Sequence, residues 1–358
     1  MSKDLFDCYK EGTQMGGGGR GLVLMLCCVC YFLLLIPLYY LIRYFRGLLK
    51  VANFSEKAVF ITGCDSGFGR SLALKCAERG MTVFAGCLTK EGEQSLKNEG
   101  GEACGSLRTV HLDITNQESV EKALVFTEMQ LSGSLQLWAL VNNAGFLALY
   151  GPDDWCSIED YEHSLKVNTL GHIRVIHAFR HLLERSKGRI ITVTGAAGRL
   201  ATTGTAAYSV AQFATEAYMN ALRYEVRPFG ITCCTIELGT FRTDFIDSAS
   251  INARLNSSWE KLTHKKKAKY GEDYKNMYIA GVDRKIQKGS SPCLDRVVDC
   301  YYHAITARYP RLRYRCGCDA HFFAALSYLP TAFADSIVLA LCKTNVVPAI
   351  LTKDKKEQ

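Results

Sequence analysis

From Lys57 onward the chain repeats one unit: a short apolar run, a turn and a helical stretch. The runs occupy 58–61, 82–85, 109–112, 137–141, 189–193 and 231–236. They are apolar at successive rather than alternate positions, so each strand must be buried on both faces. Apolar strands separated by helices fold into a parallel, doubly wound α/β sheet of the Rossmann type. The sequence therefore predicts a single domain of this class that holds all six runs.

What flanks this domain differs from it. Residues 1–21 form a polar, glycine-rich lead-in, and residues 22–42 follow as 21 positions without a charge. As a helix that run spans about 30 Å, enough to cross a bilayer. It exceeds a signal-peptide core, and no small-residue cleavage site follows it. Arg43, Arg46, Lys50 and Lys57 follow the span and Lys3, Lys10 and Arg20 precede it, which places the domain on the cytoplasmic side, as in an endoplasmic reticulum protein. Asn53 and Asn256 open glycosylation sequons that matter only on the lumenal side. Residues 245–290 are polar and helical in tendency, an insertion placed to shape a ligand site. The tail, 316–358, is apolar but broken by Pro330 and Asp335, which suits a membrane surface or the roof of a cavity better than a second span.

Composition narrows the partners. The net charge of +8 comes largely from lysines at 261–269 and 353–356. Such clusters suit a solvated helix face or anionic lipid, and nothing else points to nucleic acid. The 16 cysteines fall mostly in apolar runs without paired zinc spacing, so they read as reduced thiols. His163, His172, His177 and His181 lie on one helical segment without a ligand pattern, and no metal site is expected.

Thr62-Gly63-Cys64-Asp65-Ser66-Gly67-Phe68-Gly69 follows the first strand and opens a helix. Glycines there allow a tight turn and close approach of a pyrophosphate to the helix N-terminus. After the second strand, 85–90 offers no carboxylate for a ribose diol, only Lys90. Asp65 would repel a 2′-phosphate, which favours NAD over NADP. Tyr208 and Gln212 are four residues apart and share one helix face. A lysine at 212 would lower the phenol's pKa from about 10, but glutamine brings no charge.

These motifs, with Asn142-Asn143-Ala144-Gly145, Leu222-Arg223-Tyr224-Glu225 and Ser327-Tyr328-Leu329-Pro330, resemble the short-chain dehydrogenase/reductase family over about 56–315. The likeness is to the branch of retinol, hydroxysteroid and hydroxybutyrate dehydrogenases. It implies a membrane-anchored oxidoreductase moving hydride between a nicotinamide cofactor and a lipid alcohol or ketone. It implies that Tyr208 is the acid/base and that Asn168 holds a water of the proton relay. Asp113 would contact the adenine, Asn142, Ala144 and Gly145 would shape the cofactor pocket with Thr62, Gly63, Ser66, Gly67, Phe68 and Gly69, and Thr243 would touch the nicotinamide amide. A homodimer is also implied. The sequence departs from the family where the catalytic serine and lysine belong: Gly195 and Gln212 stand there, and Leu238 replaces a proline. Thr194, next to Gly195, is the substitute hydroxyl the sequence offers. Three readings follow: an enzyme that turns over despite these losses, a catalytically impaired protein that binds nucleotide or lipid in a regulatory role, or a membrane scaffold that leaves the glycine loop empty.

Overall fold

The computed structural model describes residues 17–100, 106–342 and 347–353. Seven parallel strands form one sheet in the order β3-β2-β1-β4-β5-β6-β7. They are β1 (Lys57–Thr62), β2 (Thr82–Cys87), β3 (Leu107–His111), β4 (Gln136–Asn142), β5 (Arg189–Gly195), β6 (Thr232–Leu238) and β7 (Arg313–Cys316). The six apolar runs are thus strands. β7 is additional: its Arg-Tyr-Arg-Cys alternates polar and apolar, as befits an edge strand.

The helices are α1 (Gly17–Leu48), α2 (Gly67–Glu78), α3 (Lys90–Gly100), α4 (Gln117–Gln130), α5 (Ile158–Leu165), α6 (His172–Ser186), α7 (Ala206–Val226), α8 (Ser248–Lys261), α9 (His264–Tyr270), α10 (Glu272–Gly289), α11 (Asp295–Thr306), α12 (Cys318–Leu326), α13 (Thr331–Cys342) and α14 (Ala349–Lys353). Apolar side chains bury on both sheet faces. Val59, Ile61, Val83, Ile191 and Ile236 meet α2 and α11 residues on one side, and Phe60, Phe84, Leu140 and Ile190 meet α4, α6 and α7 on the other. A third cluster packs Ile251, Leu255, Trp259, Tyr270 and Val282 of the insertion against Leu149 and Trp155 from the segment after β4.

The chain divides into two units, residues 1–50 with 307–309, and 51–306 with 310–358. In the first, Leu24–Leu48 is long and apolar enough to cross a membrane. α1 begins at Gly17, inside the stretch expected to be lead-in; residues 1–16 lie outside the described residues. The tail from 316 belongs to the second unit and is integral to it: Asp319 and Phe323 of α12 line the central cavity. Lys355 and Lys356 of the basic terminus lie outside the described residues.

Candidate active site

At the carboxyl ends of the strands, where ligands bind in open α/β sheets, lies a cavity of about 650 Å³. It runs from the β1–α2 turn past Tyr208 to the insertion and α12. Gly63 turns with φ +70°, and a Cβ there would come within 2.7 Å of the Ala144 Cα. A Cβ on Gly69 would lie 2.2 Å from the Gly63 carbonyl. Both glycines are needed for the turn to close. Ser66 occupies the N-cap of α2 with no side-chain cap bond, which leaves the first helical N–H groups for an anion.

Gly63, Ser66, Gly67, Phe68, Asp113, Ala144, Gly145 and Thr243 all line the cavity, whereas Thr62, Gly69 and Asn142 lie behind it. The Thr62 hydroxyl accepts from the N–H groups of Asn143 and Ala144 at 3.0 and 2.9 Å and so locks two loops together. Asn142, at the end of β4, is fully buried in the sheet, and the next residue, Asn143, faces the cavity instead. Asn143 donates to the carbonyls of Thr62 and Gly63 at 3.1 Å and accepts from Tyr301 at 3.0 Å.

Asn168 sits in a π-helical turn, Lys166–Gly171, a distortion frequent at functional sites. Its side chain clamps Phe146, accepting from the N–H and donating to the carbonyl at 2.8 Å each. Its backbone carbonyl accepts from the Thr215 hydroxyl at 2.8 Å.

Tyr208 lies in the first turn of α7, its ring 6.4 Å from that of Phe245. The phenol rests against Gly195: a Cβ there would be 3.0 Å from its oxygen. Burial pushes the phenol above its ordinary range, and no cation opposes this. Gln212 is buried on the same helix face, and its Oε1 accepts from the Gly195 N–H at 2.8 Å. Thr194 lines the cavity, yet its hydroxyl donates to Glu216 at 2.7 Å. Glu216 in turn pairs with Arg313 of β7 at 2.6 Å. Strand pleating sends neighbours to opposite faces, so Thr194 meets the carboxylate while the phenol meets Gly195.

Two acids hold loops at the cavity: Asp65, which the sequence marks only as a charge, and Asp319, which sequence reasoning missed. Asp65 reaches from the glycine loop to the end of β2, where it accepts from the N–H of Leu88 at 2.9 Å and from the N–H and hydroxyl of Thr89 at 2.8 Å. Asp319 accepts from the Thr240 N–H at 2.6 Å, in the space that Gly239 leaves empty. Among the described residues no group of three or more His, Cys, Asp and Glu is placed to hold a metal.

His172 also lines the cavity, its Nε2 2.7 Å from the Ala144 carbonyl. Burial lowers it to about 4. The folded protein thus binds a proton here less readily than the unfolded chain, whose value is about 6.5. Stability from this group is complete above pH 6.5 and declines as pH falls toward 4, by about 3 kcal/mol. Urea melts of wild type and His172→Gln between pH 7.5 and 4.5 should differ by that increasing amount, and parallel curves would refute it.

The short chain dehydrogenase family profile matches residues 57–253. The chain belongs to the short-chain dehydrogenase family. It is 43% identical to the 3beta-hydroxysteroid dehydrogenase dhs-16 of Caenorhabditis elegans, over 91% of this chain and 86% of that protein. It is 37% identical to 17-beta-hydroxysteroid dehydrogenase type 6 of Rattus norvegicus, over 89% and 99%. Retinol dehydrogenase 16 of Mus musculus is 38% identical, over 86% and 96%. A solved short-chain dehydrogenase from Streptomyces avermitilis shares the fold with a TM-score of 0.61 at 22% identity, covering 80% of this chain and 95% of that one. This member of the family is accordingly an oxidoreductase, with a nicotinamide dinucleotide as its cofactor class. The uncapped α2 N-terminus and the glycine turn provide the seat such a dinucleotide needs.

Proposed function

We propose that this dehydrogenase moves hydride between NAD and the hydroxyl or ketone of a steroid or retinoid, anchored by α1 in a membrane such as the endoplasmic reticulum, with its domain facing the cytoplasm. Tyr208 carries the proposal: a phenol stands in the same cavity as the glycine turn and the apolar side chains of Leu147, Phe245, Ile246, Ile251, Ile286 and Phe323. Relatives named for hydroxysteroids and retinol support the substrate class. The bound cofactor supplies or accepts the hydride. The protein's own residues orient the lipid along the apolar wall, keep water away and hold a proton on the Tyr208 oxygen for a developing alkoxide. Asn168 serves by fixing the Phe146 loop. Asp65 supports NAD, because its carboxylate occupies the end of β2, where a 2′-phosphate would meet like charge. Arg70, the arginine of α2, is bound to Glu99, Ser95 and the Asp65 carbonyl.

Gly195 and Gln212 favour the second reading, a protein that binds without turnover. Single-turnover transfer from labelled NADH and NADPH to a panel of steroid ketones and retinal separates the two. Transfer at least tenfold better from NADH is expected. Tight NADH binding with no transfer to any member would sink the enzymatic proposal in favour of the binding protein.

A further inference from the structure

Among the described residues that line the cavity, three carboxylates, Asp65, Asp113 and Asp319, face a single Lys or Arg, Lys285. Lys285 belongs to α10, in the insertion. Of the insertion's other lysines, Lys266 and Lys269 are tied to Asp154, Lys267 to Glu260 and Lys275 to Glu272, while Lys261, Lys265 and Lys288 are exposed away from the cavity lining. No ion pair among the described residues involves Lys285, which is exposed at the cavity edge.

The fold brings the end of α10 to the cofactor seat. Just past α10, Ser291 donates to the Thr240 carbonyl at 3.0 Å and accepts from the Arg242 N–H at 2.9 Å, pairing in parallel with Phe241. Phe241 packs edge-on against Phe68 at 5.7 Å, and Phe68 is in the first turn of α2. Thr243, in the same loop, is the nearest neighbour of the Gly67 position. The last turns of α10 are therefore strapped, through the loop after β6, to the helix N-terminus that would receive a diphosphate. Lys285 precedes Ser291 by six residues, about 9 Å along a helix.

A dinucleotide brings two negative charges into a cavity whose fixed charge is already negative. The uncapped N–H groups of α2 offset part of this, and among the described lining residues the Lys285 ammonium is the one Lys or Arg charge left to offset the rest. We infer that Lys285 is a cofactor-binding residue whose ammonium supplies the counter-charge for the dinucleotide's diphosphate and thereby fastens the insertion over the bound cofactor. The inference rests on the nicotinamide-cofactor reading and extends it to a lid residue outside the glycine motif. The insertion would then close on cofactor first and present Ile286, on the same helix, to the lipid afterwards.

The test uses the detergent-purified full chain with NADH, ADP-ribose and adenosine as binding probes. Lys285→Met should weaken NADH and ADP-ribose alike, by roughly tenfold at low salt, and leave adenosine within twofold. The difference between wild type and variant should shrink as ionic strength rises. Lys285→Arg should restore most of the affinity. Hydrogen exchange across residues 248–289 should slow on adding ADP-ribose to wild type and not to Lys285→Met. Unchanged ADP-ribose affinity in Lys285→Met would overturn the inference while leaving the cofactor intact. A steroid carboxylate and its methyl ester form the second arm: if the variant loses only its preference for the free acid, Lys285 serves a substrate anion and the inference is wrong. Wild type that binds neither NADH nor ADP-ribose would overturn the cofactor reading itself.

Discussion

Tyr208→Phe should reduce single-turnover hydride transfer by 10²–10⁴-fold, the usual range for removing a general acid or base, while NADH binds as in wild type. The phenol is the cavity group that stands against Gly195, and its hydroxyl takes no part in holding α7, so its loss should leave the fold intact. The pH dependence carries more information. Burial raises the phenol, and no lysine lowers it. It is therefore protonated at neutral pH, ready to donate during ketone reduction but not to accept a proton during alcohol oxidation. Reduction should be nearly flat from pH 6 to 9. Oxidation should climb about tenfold per pH unit and keep climbing past pH 10, the ordinary value for tyrosine. An oxidation plateau near neutral pH would show that some other group activates the phenol.

Much of this site could be read from the chain because its logic is local. The glycine turn follows β1 directly, and Tyr208 and Gln212 share a helix face by spacing alone. Continuous apolar runs fixed the order of strands and helices. β7 escaped because Arg313 and Arg315 make it look like a loop, and their reason for being there lies 76 and 78 residues away, where both bind Glu237. The same distance problem hid the fate of Thr194. Its neighbour Gly195 signals a missing hydroxyl, but only packing reveals that Glu216 claims the threonine. Asp65 was legible as a charge unfavourable to a 2′-phosphate, yet its landing point at the end of β2 depends on a fold across 24 residues. Asn142 and Asn143 show the limit most simply: a shift of one position along a strand exchanges sheet interior for cavity.

Restoring the lysine should have opposing effects. In Gln212→Lys an ammonium one helix turn from the phenol favours phenolate, so the oxidation profile should move to lower pH and the rate at pH 7 should rise roughly 10–100-fold, within the acid-base range. Gln212 has a second task, because its Oε1 takes the Gly195 N–H. Lysine has no acceptor, and a buried N–H left without one costs about 1–3 kcal/mol. The variant should be faster and less stable. Gly195→Ser alone should help little: its Cβ would meet the Tyr208 oxygen at 3.0 Å and the ring at 3.2 Å, so the phenol must shift before the new hydroxyl can act. The two changes touch one tyrosine and one backbone N–H, so their effects should be non-additive. Stopped-flow oxidation with thermal melts on both single variants and the double variant reads this coupling. Additive rates with no loss of stability would mean that Gly195 and Gln212 are independent losses. A double variant slower than wild type would mean that the glutamine has its own place in the relay, and that the enzyme was rebuilt around it.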